Sequence, residues 1–516
     1  MRKRRGIRRL LVGFAATLWI TAIPAPADDW LERVRDYRDE HQLAIAAELF
    51  ELLEIPNVAS DEENIRRNAA HLVGMLESRG IAARLLESPG SPPAVLGELE
   101  VPGATRTVVF YSHYDGQPVV PEQWASDPWT PTVRSGRLDD GAEVVAWPPE
   151  DGRIDPEWRI YARSASDDKS PIVAMLAALD ALRAAGRQPS VNLKFFFEGE
   201  EEAGSPHLAE LLGTHAEALA ADVWLFCDGP VHQSRRGQVV FGVRGSMGLE
   251  LTVYGPNRPL HSGHYGNWAP NPGALAADLV RGLRDPDGTI LIDGFYDDVR
   301  PISEAGRRAL ASVPSVDEEL RHDLALAATE ADDAPLMERL LLPALNVRGI
   351  EVGRVGAQAR NVISTEGRIS LGFRLVPDQS PERVRALVEA ELGRDGWHVV
   401  HEEPSMELRR QHERIVWLDW EGGYPALRTP LDLPISRAVI AAASEGRGEA
   451  VIEVPTLGGS LPLYLFDEIL EVPLVIVPMV NHDNNQHGKD ENLRFANLWQ
   501  GIDMYAALMA RLGELW

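Results

Sequence analysis

Three glutamates stand side by side, Glu200, Glu201 and Glu202, in the segment FEGEEEAGS (197–205), just after the apolar run VNLKFFF. Adjacent like charges raise one another's energy unless water screens them or a cation sits among them. Similar residues recur elsewhere. His113 and Asp115 stand in YSHYDGQPV, Asp167 and Asp168 in SASDDKSP, and Asp228 in FCDGP. Each has an ordinary reading alone: a hydrogen-bonded His-x-Asp pair, a solvated glutamate loop, an N-cap with first-turn charge. Together, imidazole and carboxylate without a thiolate make the donor set of a hard or borderline divalent cation.

These residues need elements that bring them together. The runs TVVFYS (107–112), VNLKFFF (191–197) and DVWLFC (222–227) are short, apolar and rich in β-branched or aromatic residues, which predicts buried strands. His113, the glutamates and Asp228 each follow one of them directly. Between the strands, SPIVAMLAALDALRAAG (170–186) opens on Ser-Pro and closes on Gly, as a helix does, and HLAELLGTHAEAL (207–219) predicts another. NIRRNAAHLVGMLESRGI (64–81) has apolar residues at helical spacing. Strands alternating with helices predict an α/β domain with a mostly parallel sheet. Ligands would then collect at the carboxyl ends of its strands, where such sheets form their crevice.

The texture changes after about residue 242. GLELTVYG (248–255) and ISLGFRLV (369–376) alternate apolar and polar residues, the pattern of a sheet covered on one face, with helical stretches at 273–283 and 380–392. The α/β pattern resumes near residue 431 and ends in a long helix, RFANLWQGIDMYAALMARLGEL (494–515). The expectation is a catalytic α/β domain, residues 28–241 and 426–516, interrupted by an inserted α+β domain, residues 242–425.

The chain has 516 residues, 44% hydrophobic and 25% charged, with a formal net charge of −27. That balance suits a soluble globular protein and excludes a nucleic-acid surface, which needs a basic patch. Residues 1–27 carry six basic residues, an apolar stretch at 10–23 and a small-x-small end, APA. This predicts a cleaved export signal, a periplasmic or secreted protein, and no membrane attachment after cleavage. The stretch is shorter than the roughly 20 residues of a membrane span. Cys227 is the single cysteine, so no intrachain disulfide forms.

The segments SHYDGQP, ARSASDDKSP, FEGEEEAGS, FCDGP, LHSGHYG, FRLVP, GGSLP and HGKDEN together resemble the M20 metallopeptidases, a family of carnosinase-type dipeptidases, carboxypeptidases and aminoacylases. The resemblance covers nearly the whole chain beyond residue 27. It implies two divalent ions, with Zn first and Mn or Co as alternatives. Asp167 would bridge them, His113 and Asp228 completing one site and Glu202 and His487 the other. His482 competes with His487, and the likeness of HGKDEN to the family's His-x-x-x-Glu-Asn pattern favours His487. Glu201 would be the general base, with Glu200 left solvated. Asp115 would orient His113, and Gly199 and Gly204 would let the chain turn so that Glu201 and Glu202 reach one site.

Arg374, on the polar side of its strand, suits either a structural ion pair or a carboxylate grip. The resemblance implies the grip, assisted by Gly459 and Ser460. It also makes the insertion a lid that dimerises and brings His261 to the partner's site to stabilise an oxyanion. The implied reaction is hydrolysis of an amide bond in a small peptide with a free carboxylate. N-acyl or N-carbamoyl amino acids are the alternative substrates. Three positions depart from the family's glycines: Ala162, Ser164 and Ser170. A solute-binding protein would need no general base, and a two-carboxylate glycosidase would leave His113, Asp228 and His487 without a role.

Overall fold

A computed structural model describes residues 29–331, 334–459 and 461–516. Residues 1–27, the predicted export signal, and Ser460 lie outside the described residues.

The α/β domain is built on an eight-stranded mixed sheet. Its centre is parallel: Asn192–Glu198 pairs with Thr107–His113, which pairs with Val223–Phe226, which pairs with Leu474–Ile476. The hairpin Ala82–Leu86 and Ala94–Leu99 adds antiparallel strands on one side. Gln238–Val240 runs against Leu474–Ile476 on the other and pairs in parallel with Ile452–Val454. The central strands are buried nearly throughout, which is why they are continuous apolar runs rather than alternating ones.

Each sheet face has its own core. Val108, Phe110, Phe195, Phe197 and Leu225 face one side, against the helices Lys169–Ala184 and Phe495–Leu515. Val109, Tyr111, Phe196 and Phe226 face the other, against Leu208–Leu219 and Leu463–Leu470. The helix Lys169–Ala184 has 13 buried positions. It stops where Gly186 takes φ +72, a conformation that costs glycine nothing.

The inserted part has a five-stranded sheet in which Glu366–Leu375 and Gly245–Tyr254 are central and Ala344–Glu351 is one edge. The predicted alternation is present. Leu249, Leu251, Val253, Ile369, Leu371 and Phe373 point inward, against the helices Pro272–Leu283 and Pro381–Arg394. The other face is polar: Arg348 pairs there with Glu250 and Glu421. The chain leaves and re-enters the α/β part side by side, where Gly242–Val243 pairs with Leu427–Arg428.

Candidate metal centre and active site

The strand Thr107–His113 delivers His113 at its carboxyl end, fully buried. Its Nε2 lies 3.0 Å from Asp167 Oδ1 and 4.0 Å from Asp228 Oδ2. Across the site, His487 Nε2 lies 3.1 Å from Asp167 Oδ2 and 3.3 Å from Glu202 Oε2. Asp167 therefore turns one carboxylate oxygen to each histidine. Two clusters share it, His113–Asp167–Asp228 and Asp167–Glu202–His487, each with ligand atoms within 4.8 Å of one another. His482 is elsewhere, lining a cavity of about 780 Å³ with His232, Pro230 and Gly458.

The donor set fits divalent ions. Glu202 Oε1 is buried without a hydrogen-bond partner, a costly condition for an anionic oxygen unless a cation takes its lone pairs. Without ions the site is overcharged. Burial and the charge of Asp167 push Glu202 up to about 7 and Asp228 up to about 6. Glu201 is driven well above the usual carboxylate range, first by burial and then by Asp228 and Asp167. Burial would raise Asp167 as well, but hydrogen bonds from His113 and His487 hold it below the ordinary value.

The three glutamates separate into three environments. Residues Glu201–Ala203 form a single tight turn closed by Gly204 at φ +84. Glu202 enters the His487 cluster, where Gln117 Nε2 donates to its Oε2 at 2.8 Å. Glu201 Oε2 stands 4.0 Å from His113 Nε2. Glu200 is not solvated as expected. It is 5% exposed, and its carboxylate takes the backbone N–H and ring Nδ1 of His207 at 2.9 and 3.0 Å, anchoring the entry to the next helix. Gly199 also differs from the expectation. Its φ is not positive; it is required because Tyr114 Oη occupies the space of a Cβ.

Asp115 has two tasks. Its Oδ1 lies 3.4 Å from His113 Nδ1, and that nitrogen also lies 3.2 Å from the Asp115 carbonyl. Its two carboxylate oxygens also accept the backbone N–H groups of Glu201 and Glu202 at 3.1 and 3.0 Å. One buried carboxylate thus orients an imidazole and holds the glutamate turn against it.

Ser164 takes φ +60, the left-handed region that favours glycine. Asn57 Nδ2 donates to its Oγ at 2.9 Å. Ala162 is buried, and its N–H donates to the Glu491 carbonyl at 3.2 Å. Ser170 is buried with an unpartnered Oγ. Glu491, in the HGKDEN segment, was given no role from sequence. It is fully buried, and its carboxylate accepts from Arg163, Ser164, Ser166 and Asp167. Only its place four residues after His487 could have pointed to it.

The remaining predicted residues sit on other elements. His261 is exposed on the short strand Leu260–His261, and its Nδ1 accepts from Gly263 N–H at 3.0 Å. Arg374 is exposed, in register with Ser246 and Ala344. Arg244, unpredicted, links this region to Gly459: its backbone N–H donates to the Gly459 carbonyl at 3.4 Å. Burial, with the charge of Arg374, lowers its guanidinium to about 10.

Residues 109–511 match the sequence model of peptidase family M20/M25/M40. The chain belongs to this family. It is an M20 metallopeptidase. Among its relatives is the Cys-Gly metallodipeptidase Dug1 of Candida albicans, 28% identical over 94% of this chain and 98% of the relative. Another is the human Beta-Ala-His dipeptidase, 26% identical over 95% of this chain and 94% of the relative. Of solved structures, the M20 family metallo-carboxypeptidase Sso-CP2 from Sulfolobus solfataricus superposes with a TM-score of 0.71 at 27% identity, covering 91% of this chain and 99% of that one. Human carnosine dipeptidase 1 has the same fold, with a TM-score of 0.69 at 24% identity, covering 95% of this chain and 100% of that one.

The comparisons also correct the expectation of an exported, periplasmic M20 enzyme. The relatives matched along most of the chain, the Cys-Gly metallodipeptidases of Schizosaccharomyces pombe and Candida albicans, speak against export. A basic, apolar N-terminus alone is too general a signal to outweigh them. Among the described residues, no helix is long and apolar enough to cross a membrane.

Proposed function

We propose that this M20 metallopeptidase hydrolyses dipeptides that carry a free C-terminal carboxylate, at a centre of two divalent ions bridged by Asp167. The observation that carries this reading is Asp167, one oxygen toward His113 and the other toward His487. His113 and Asp228 would hold one ion, Glu202 and His487 the other, with Zn the first choice for this nitrogen and oxygen donor set and Mn or Co alternatives. Bound there, the ions would acidify a water between them and polarise the scissile carbonyl.

The chain's own groups supply the rest. Glu201, beside His113, takes the water's proton and returns it to the leaving amine. Asp115 holds Glu201 at that distance through its backbone. Arg374, with Gly459 and Ser460, grips the terminal carboxylate by charge-assisted hydrogen bonds. The insertion, residues 242–425, serves as lid and dimer contact, and His261 of one subunit steadies the oxyanion in the other.

The reading is tested with dipeptides, the same dipeptides amidated at the C-terminus, and N-acyl and N-carbamoyl amino acids, each before and after chelation. Chelator-sensitive cleavage of free dipeptides, with amidation lowering kcat/KM at least about tenfold through loss of the charged grip, is expected. Cleavage confined to N-acyl or N-carbamoyl amino acids would overturn the peptide assignment.

A further inference from the structure

Glu491 lies beside the metal cluster without entering it. Its carboxylate is fully buried. Oε2 accepts from Arg163 Nη1 at 2.6 Å and Ser164 N–H at 3.0 Å. Oε1 accepts from Ser166 N–H, Ser166 Oγ and Asp167 N–H, each at 2.9 Å. The contact is reinforced from both sides. Arg163 Nη2 donates to the Gly488 carbonyl at 3.1 Å, and Ala162 N–H to the Glu491 carbonyl at 3.2 Å.

We propose that Glu491 is a positioning residue that clamps the loop bearing Asp167 onto the loop bearing His487, and so sets the geometry of the second metal position. This rests on the two-ion reading above. Both loops need holding. Ser164 and His487 are non-glycine residues with φ +60 and +61, conformations that persist only where the surroundings over-determine them. The Asp167 N–H bound by Glu491 belongs to the residue whose carboxylate spans both clusters. The His113 side has a separate support: Ser112 Oγ donates to the Asp168 carbonyl at 2.8 Å, and His113 N–H to Asp168 Oδ2 at 3.4 Å. Loss of Glu491 therefore loosens Asp167 against His487 more than against His113.

A glutamine has the same shape but cannot do the same work. Its amide nitrogen would face donors on whichever side it took, since both carboxylate oxygens already accept only from N–H and O–H groups.

The test is a Co²⁺ titration of chelator-stripped protein, followed by visible absorption and calorimetry, on wild type, Glu491→Gln, Ser166→Ala and His487→Ala. Wild type is expected to take two ions. Glu491→Gln is expected to weaken one of them by about 10–100-fold, the range for groups that orient metal ligands, and the absorption change it loses is the one His487→Ala loses. Ser166→Ala, which removes one donor and leaves the carboxylate, weakens the same ion severalfold and decides the matter if Glu491→Gln does not fold. Wild-type affinities in the folded variants, or equal weakening of both ions, would overturn the clamp. A wild type that takes only one ion would instead refute the two-ion reading, and the clamp with it.

Discussion

Glu201 and Glu202 are neighbours in the chain, yet one tight turn sends Glu202 to His487 and leaves Glu201 beside His113. In the proposed reaction only Glu201 moves a proton. Glu201→Gln should therefore keep its metal and its KM within a few fold and lose about 10²–10⁴ in kcat; steady-state kinetics with metal analysis checks this, and an unchanged kcat would remove Glu201 from the role. Asp115 acts on its neighbours, so Asp115→Ala should weaken metal binding by about 10–100-fold, read by competition with a chromophoric chelator. At this scale the donor residues were legible in sequence because metal chemistry restricts residue type. Glu200 and Glu491 were not. Their partners, His207 and the loop 163–167, include backbone N–H groups that the fold brings together and that leave no trace in residue type.

At the scale of elements, the buried strands and their helices were legible because burial on both faces leaves long apolar runs, and alternation marked the insertion's half-covered sheet. The mixed character of the larger sheet was less so. The antiparallel hairpin Ala82–Leu86 and Ala94–Leu99 and the reversed strand Gln238–Val240 are short and carry no distinct pattern. Packing between elements was also hidden, as Gly199 illustrates. Tyr114, hydrogen-bonded to the Pro93 carbonyl, fills the space where a side chain would go. Gly199→Ala should cost about 1–3 kcal/mol of stability, the usual cost of overpacking, measured by denaturant unfolding, and should displace the turn that carries Glu201 and Glu202 of the candidate site.

For the whole molecule, the charge of the metal-free site makes stability depend on pH. Glu198, raised by burial to about 7, joins Glu202 at about 7 and Asp228 at about 6, all above unfolded carboxyls at roughly 4. Each binds more protons folded than unfolded across that interval. Their stabilising contribution is complete below about pH 4 and is lost as the pH rises through 6 to 7. The Tm of chelated protein should fall from pH 5 to pH 8, and divalent metal should restore it most at pH 8; a flat or rising Tm would contradict this. The proposed dimer makes a different demand. Glu201→Gln and His261→Ala subunits, each nearly inactive alone, should recover activity when co-expressed, because a mixed dimer contains one intact site.

The bridging carboxylate is the centre of this account, and metal content tests it directly. Elemental analysis of dialysed wild-type protein and of Asp167→Asn is predicted to give about two divalent ions per chain in the wild type and less than about one in the variant, with peptide cleavage lost alongside. A wild type holding a single ion, or a variant that keeps both, would contradict it.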